Sequence, residues 1–329
     1  MEKRFLYKII ALFLIFSLTL MVLACSNDVD LPENEPEPNV YIALGDSVSS
    51  GYGLDGYLVT IPQGRHSVLF FEKLQNQGFV EHYMNLAVSG FTTTTLLNQL
   101  HGLDDDTLEF FRDARVITLN VGGNNILTPF LDYLDEMQIN LGADSFMAGI
   151  DGILSGSLSD LGGILSGFGD LLFGVGDVIA GTPSAFAMLL GNISEELEAV
   201  LDLGVQTFGY EFEEIILWLE ANAPRADIIV NTIYNPIPLN LMGISVELAN
   251  VAAGFIERMN EVIRMKSEAG VFFMVDLDAY LTNRLDLTAF NLNPIAGDVS
   301  VDLIHPNLEG HSLIARLHYE AFREILERE

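Results

Sequence analysis

The sequence predicts an α/β fold in which helices cover both faces of a parallel β-sheet. Four short apolar runs are typical of buried strands, and each run stops at a cluster of polar residues or glycines. Segments with the periodicity of amphipathic helices lie between these runs. Half of the 329 residues are hydrophobic, which is enough for a substantial core. Strands that alternate with helices in this way form parallel sheets.

The predicted elements alternate along the chain from residue 40 onwards. The strand-like runs cover residues 40–44, 116–121, 227–233 and 270–276. The helix-like segments cover residues 67–77, 211–222, 249–269 and 309–327. Ligands bind at the carboxyl ends of the strands in open α/β sheets, so the polar clusters at these ends predict an active site.

The first polar cluster, Gly45-Asp46-Ser47, follows the first strand on a predicted turn. A serine hydroxyl is a weak nucleophile and needs an adjacent base to become reactive. A turn at the end of a strand can present such a hydroxyl to solvent. Taken alone, however, the same three residues also fit an ordinary structural turn.

The carboxyl-terminal cluster places Asp302 three residues before His305. At that spacing the carboxylate can fold back to the imidazole Nδ1, which fixes the tautomer and leaves Nε2 to accept a serine proton. A capping or core histidine is the structural alternative for His305. The chain has six histidines, and in the sequence only His305 has an aspartate at this position.

Two further clusters carry groups that can stabilise negative charge on oxygen. Gly90 ends the second cluster, 85–90, and without a side chain it can bring its backbone N–H close to a substrate. Asn124 ends the cluster Gly122-Gly123-Asn124, and its amide can donate to a developing oxyanion. A donor of this kind typically lowers a reaction barrier by about 3 kcal/mol.

In order and spacing, these four clusters resemble the four blocks of the SGNH/GDSL hydrolases. The resemblance spans roughly residues 40–325, apart from an insertion. It implies a three-layer α/β/α, flavodoxin-like fold and the hydrolysis of esters, or sometimes of thioesters or amides, with no metal or organic cofactor. The sequence Ile233-Tyr234-Asn235-Pro236 is similar to the lysophospholipase-like bacterial branch of the family.

The resemblance also assigns roles to residues of this chain. It implies that Ser47 is the nucleophile, that His305 is the base, and that Asp302 orients His305. The oxyanion donors would be the backbone N–H groups of Ser47 and Gly90 and the side chain of Asn124.

Two positions depart from the family pattern. Val48 stands where the family block has Leu, and Asn125 stands where many members have Asp. An aliphatic exchange at position 48 should be tolerated. The exchange at position 125 makes the third block less typical, but it does not alter an oxyanion donor.

The first 24 residues have the organisation of a secretory signal peptide. A basic segment, 1–8, precedes an apolar run, 9–24, that is short for a membrane span. Cys25, the single cysteine, follows directly, as in a bacterial lipobox, so we expect its lipidation and a lipid-anchored protein on the extracytoplasmic face of a bacterial membrane. An uncleaved anchor helix is the alternative. Residues 25–39 are acidic and proline-containing, which is typical of a tether.

Composition excludes several classes of function. The formal net charge of −31 repels phosphate backbones, so nucleic-acid binding is not expected. One cysteine permits neither an intrachain disulfide nor a cysteine-based zinc site. The glycines at 51–56 match G-x-G-x-x-G formally, but the predicted strand ends too early for a dinucleotide site. The sequence makes no prediction about oligomeric state.

An insertion at about residues 128–205 interrupts the alternation of strands and helices. It is rich in Gly, Leu, Ile and Asp, and it repeats Gly-Ile-Leu-Ser-Gly at 152–156 and 163–167. Leucines in this segment recur at helical spacing, so we expect a helical insertion in a folded domain of residues 40–329. It could pack on the domain, or it could form a lid or acyl-chain platform over the site.

We therefore expect a serine esterase or lipase that works through an acyl-enzyme. Its substrate would be a small-molecule or lipid ester, such as a lysophospholipid, an acylglycerol or an acetylated glycan. Two alternatives stay open: a surface lipoprotein that binds a lipid or glycan without turnover, and an acyltransferase that uses the same triad. Tyr52, Tyr57 and residues 91–95 would line an acyl pocket or serve ordinary loop packing.

Overall fold

The structure, a computed structural model, describes residues 38–54, 57, 62–136, 195–235, 246–282, 284–288, 290–291, 301–302 and 305–328. At residues 131, 133–136, 246–249, 252, 285–286, 290–291 and 301–302 the backbone is described and the side chains are not. The predicted signal peptide, Cys25, most of the predicted tether and residues 137–194 of the predicted insertion lie outside the described residues.

Five parallel strands form the main sheet of the described part of the chain. They are β1 (Val40–Gly45), β2 (His82–Asn85), β3 (Ala114–Asn120), β4 (Asp227–Asn231) and β5 (Phe273–Val275). Their spatial order is β2-β1-β3-β4-β5, and every neighbouring pair is parallel. This doubly wound order confirms the predicted α/β class and puts its topological switch point between β1 and β3.

Helices connect the strands and extend to the carboxyl terminus. Those before β4 are α1 (Ser47–Ser50), α2 (His66–Asn76), α3 (Thr93–His101), α4 (Asp105–Arg112), α5 (Gly123–Glu136) and α6 (Glu195–Asn222). Those after it are α7 (Val246–Glu268), α8 (Leu277–Leu281), α9 (Leu285–Thr288) and α10 (Leu308–Leu326). None of the described helices combines the length and the hydropathy needed to cross a bilayer.

Two hydrophobic clusters pack against opposite faces of the sheet. In β1, Ile42 and Leu44 point into the cluster that includes α3, α4, α6 and α7, whereas Tyr41 and Ala43 point into the cluster with α2 and α10. All six residues of β1 are buried, as expected for a central strand covered on both faces. Each large apolar side chain buried in this way stabilises the fold by about 2 kcal/mol.

The structure extends the predicted set of elements in ways that follow from local chemistry. The edge strand β2 (His82–Asn85) was not predicted, because its sequence has no apolar run and its residues are exposed or half-buried. Helix α6 begins at Glu195 rather than at residue 211. Residues 128–136 and 195–205 of the predicted insertion are helical, and the extent of that insertion stays a prediction.

Three fully buried histidines lie between α2 and α10, beneath the sheet. His66 and His311 stack, and both the backbone N–H of His66 and its Nδ1 lie within hydrogen-bond distance of His311 Nδ1, at 3.2 and 3.1 Å. His318 Nε2 lies 2.8 Å from Asn231 Oδ1. Burial lowers the pKa of His311 and of His318 to about 3, and it lowers the pKa of His66 well below its ordinary value.

These buried imidazoles predict a loss of stability in acid. A histidine that is neutral in the fold and titrates near 6.5 when unfolded lets the unfolded state bind more protons as the pH falls, so stability falls with it. His318→Gln keeps a donor for Asn231 and removes the titration. Between pH 8 and pH 5, we expect the wild-type free energy of unfolding to fall by about 2 kcal/mol more than that of His318→Gln.

Urea denaturation at the two pH values measures this difference. His82→Gln, at an exposed position on β2, is the matched control and should behave like the wild type. Equal losses of stability in the wild type and in His318→Gln would contradict the prediction.

Candidate active site

The predicted nucleophile, Ser47, is the first residue of the short helix α1, directly after β1. Asp46 caps this helix, and its Oδ1 accepts a hydrogen bond of 3.0 Å from the Val48 backbone N–H. Gly45 has a φ of 130°, and a Cβ there would lie 1.9 Å from the Asn120 carbonyl oxygen. Only glycine therefore lets β1 turn away from β3 at this point, which leaves Ser47 half-buried at the switch point.

A series of buried polar side chains, linked by hydrogen bonds, begins at Asp46, the residue before Ser47. Asn120 Nδ2 donates to Asp46 Oδ1 at 2.9 Å, and Asn120 Oδ1 accepts from Asn231 Nδ2 at 3.2 Å. Asn231 in turn contacts His318. Burial raises the pKa of the Asp46 carboxyl to about 6, although the hydrogen bonds from Val48 and Asn120 act in the opposite direction.

The structure brings the predicted base to the predicted nucleophile. His305 Nε2 lies 2.7 Å from Ser47 Oγ. His305 precedes α10, whose N-cap, Asn307, accepts a 3.0 Å hydrogen bond from the Gly310 backbone N–H. The ring of Tyr52 is buried and packs at 4.7 Å from the imidazole, measured between ring centroids.

Asp302 lies on β7 (Val301–Asp302), which pairs antiparallel with β6 (Phe290–Asn291) just ahead of the His305 loop. Its backbone is described and its side chain lies outside the described part of the chain. The contact between the Asp302 and His305 side chains stays a prediction.

Two of the predicted oxyanion donors sit next to each other. Gly90 has a φ of 82° and is exposed, and apart from its chain neighbours no atom of the described residues lies within 4 Å of the place where a Cβ would stand. Asn124 lies in the first turn of α5, and its Nδ2 donates to the Phe91 carbonyl oxygen at 3.0 Å. The side-chain amide nitrogen of Asn124 carries two hydrogens, so the second hydrogen can bind another acceptor.

Gly51, the first glycine of the segment 51–56, does not directly follow a strand, as the first glycine of a dinucleotide fingerprint does. Gly51 is the C-cap of α1, with a φ of 80°, and Leu54 N–H donates to its carbonyl oxygen in a turn. The strand thus ends six positions earlier, at Gly45, and residues 55 and 56 lie outside the described residues. Within the part of the chain that the structure describes, no group of three or more His, Cys, Asp or Glu side chains could hold a metal ion.

A hydroxyl cluster between the nucleophile and Gly90 was not predicted. Ser89 Oγ lies 2.7 Å from the Tyr57 hydroxyl and 3.1 Å from Ser50 Oγ. Arg65 Nη1 donates to the Ser50 carbonyl oxygen at 3.1 Å. These contacts join α1 to the turn that carries Gly90. Ser89 lies within the second sequence cluster, but no sequence pattern pairs it with residues 39 and 32 positions earlier.

Solved structures that are similar to the chain include several lipases and esterases. Phospholipase A1 from Streptomyces albidoflavus NA297 and the lipase Lip_vut3 from a goat rumen metagenome are each 17% identical to the chain, with a TM-score of 0.46. Both comparisons cover 86% of this chain, and 99% and 97% of those proteins. The esterase EstA from a Pseudoalteromonas species is 15% identical, with a TM-score of 0.43, and covers 88% of this chain and 99% of its own.

No curated protein matches the chain. The model of the GDSL-like lipase/acylhydrolase family, in contrast, matches residues 43–313. That match runs over most of the chain and contains both the Ser47 turn and the His305 loop, and the protein belongs to this family.

Proposed function

We propose that the protein hydrolyses carboxylic esters through an acyl-enzyme formed on Ser47. The observation that carries the proposal is the 2.7 Å contact between His305 Nε2 and Ser47 Oγ, which joins residues 258 positions apart. A base at this distance can remove the hydroxyl proton as the oxygen attacks a substrate carbonyl. Asp302 would hold His305 in the tautomer that leaves Nε2 free to accept.

The oxyanion of the tetrahedral intermediate would bind three donors. Two are the backbone N–H groups of Ser47, at the start of α1, and of Gly90 on its exposed turn. The third is the second N–H of the Asn124 amide, whose orientation is supported by the bond to Phe91. Donors that are already in place stabilise charge as it develops without reorganising.

The same residues would complete the reaction. His305 would give its proton to the leaving alcohol, so that the C–O bond breaks and the acyl group stays on Ser47 Oγ. The imidazole would then take a proton from water as the water oxygen attacks the acyl carbonyl. It would return that proton to Ser47 Oγ as the bond between Oγ and the acyl carbon breaks, which releases the carboxylic acid and restores the serine. No step calls on a metal or an organic cofactor. An alcohol in place of water would make the protein an acyltransferase.

The proposed substrate is an ester with an acyl chain, such as a lysophospholipid or an acylglycerol; an acetylated glycan is the smaller alternative. The leucine-rich composition of the insertion supports the acyl chain. We also propose that lipidated Cys25 anchors the protein on the extracytoplasmic face of a bacterial membrane. The acidic residues of 25–39 would hold the domain away from anionic headgroups.

Replacing the nucleophile tests the activity. Full-length Ser47→Ala, solubilised in detergent, should hydrolyse p-nitrophenyl esters at least about 10³-fold more slowly than the wild type, because the attacking oxygen is lost. A fluorophosphonate probe should label the wild type and leave Ser47→Ala unlabelled. Ser312→Ala, an exposed serine on α10, is the control and should keep full activity. Equal rates for wild type and Ser47→Ala would refute the proposal, and ester formation with added alcohol would point to acyl transfer.

Removing the side-chain oxyanion donor tests the second part of the site. Asn124→Ala should lower kcat about 10²- to 10³-fold with a smaller change in KM, because this donor acts on charge that appears only in the transition state. Steady-state kinetics on a p-nitrophenyl ester measure both constants. An unchanged kcat would remove Asn124 from the mechanism.

Replacing Cys25 tests the anchor. Cys25→Ser should abolish the incorporation of an alkyne-tagged fatty acid in the native host, because lipidation requires the thiol. The uncleaved-helix alternative predicts no incorporation in the wild type, and a Cys25→Ser protein whose mass differs from the wild type only by the exchange of one sulfur for one oxygen. Mass spectrometry of the purified membrane fraction separates the two outcomes.

A further inference from the structure

Asn125, which departs from the family pattern, makes two hydrogen bonds that together need an amide. It is buried directly after the oxyanion donor Asn124 on α5. Its Oδ1 accepts from the Thr93 backbone N–H at 3.0 Å, and its Nδ2 donates to Thr93 Oγ1 at 2.7 Å. The first bond would suit a carboxylate as well. The second requires an N–H.

The hydroxyl of Thr93 is committed in the other direction. Thr93 Oγ1 donates to Glu211 Oε2, on α6, at 2.6 Å, and the exposed Thr94 hydroxyl donates to the same carboxylate at 2.8 Å. An ionised carboxylate only accepts hydrogen bonds. Thr93 Oγ1 therefore donates its one hydroxyl proton to Glu211, and the group on the other side of the hydroxyl must be a donor. Asn125 supplies that donor.

This chain of contacts fixes the two segments that carry oxyanion donors. Thr93 begins α3, three residues after Gly90, and Asn125 adjoins Asn124 on α5. The bond from Asn124 to the Phe91 carbonyl oxygen makes a parallel connection between the same segments. On the far side, α6 approaches α5 so closely that a Cβ on Gly204 would lie 2.2 Å from the Asn125 carbonyl oxygen.

We infer that Asn125 is a positioning residue for the oxyanion hole and that its amide is matched to the carboxylate of Glu211. The inference rests on the proposed esterase function. An aspartate at position 125 would place two carboxylates on either side of Thr93 Oγ1, with one hydroxyl proton between them. One hydrogen bond would be lost and two like charges would face each other, so α3 would move relative to α5.

The pairing of the Asn125 amide with the Glu211 carboxylate predicts that a substitution at Glu211 compensates for one at Asn125. Asn125→Asp should lower kcat about 10- to 100-fold with KM within about 2-fold, because the displaced donors act in the transition state. Asn125→Asp/Glu211→Gln should recover, since Thr93 can then donate to the aspartate and accept from the new amide. Glu211→Gln alone should stay within about 3-fold of the wild type, because Gln Oε1 can still accept from Thr93.

The experiment measures kcat and KM of these proteins on one p-nitrophenyl ester, together with their thermal midpoints. Asn98→Asp, at an exposed position on α3, controls for the added charge and should match the wild type. The inference holds if the double variant regains kcat to within about 3-fold of Glu211→Gln. It is overturned if Asn125→Asp matches the wild type, or if Glu211→Gln does not restore its kcat.

Two further outcomes are also decisive. If Asn125→Asp does not fold, the inference requires that the double variant folds and has the kcat of Glu211→Gln. A double variant that does not fold, or that has a lower kcat, overturns the inference. If the wild type itself hydrolyses no ester, the proposed function fails by that result. The thermal midpoints of the wild type, the two single variants and the double variant then test the pairing of the Asn125 amide with the Glu211 carboxylate. The pairing requires that Glu211→Gln restores the stability that Asn125→Asp loses. It is overturned when the two losses of stability simply add.

Discussion

The geometry of the site depends on the buried carboxyl group of Asp46. Strands β1 and β3 separate at the switch point, and their backbone pairing ends with the hydrogen bond from Asp46 N–H to the Asn120 carbonyl oxygen. Beyond that bond, the Asn120 side chain connects the two strand ends through its hydrogen bond to Asp46. Asp46 Oδ1 accepts from both Val48 and Asn120, so a single oxygen shapes the turn that presents Ser47 and ties it to the neighbouring strand.

Such a carboxyl group is costly to bury, and the surroundings reduce that cost. Its pKa of about 6 shows that burial outweighs the bonds that stabilise the charge. The amides of Asn120 and Asn231 continue the polar chain to His318, which burial keeps neutral. The part of the core next to the Ser47 turn thus contains many polar atoms and few charges. A network of this kind is rigid when all its hydrogen bonds are made, and the loss of one bond strongly destabilises the fold.

The sheet and the pairing of Ser47 with His305 could be predicted because their signals are local. An apolar run that stops at Gly-Asp-Ser, and an aspartate three residues before a histidine, each fit within a few positions of the chain. The supporting residues could not be predicted in the same way. Asn120 is the last residue of β3 and lies within the apolar run 116–121, where a polar residue carries no indication of its partner. Glu211 contacts Thr93 across 118 positions, and β2 lacks the apolar pattern because it lies at the sheet edge.

The contact between Ser47 and His305 also sets when the proposed activity would begin. Ser47 emerges from the ribosome early, whereas His305 follows 258 residues later, ahead of α10. A chain that stops before residue 305 holds only one of the two groups. Under the proposed mechanism, ester hydrolysis would therefore begin only after this late segment has been synthesised and has folded against the Ser47 turn.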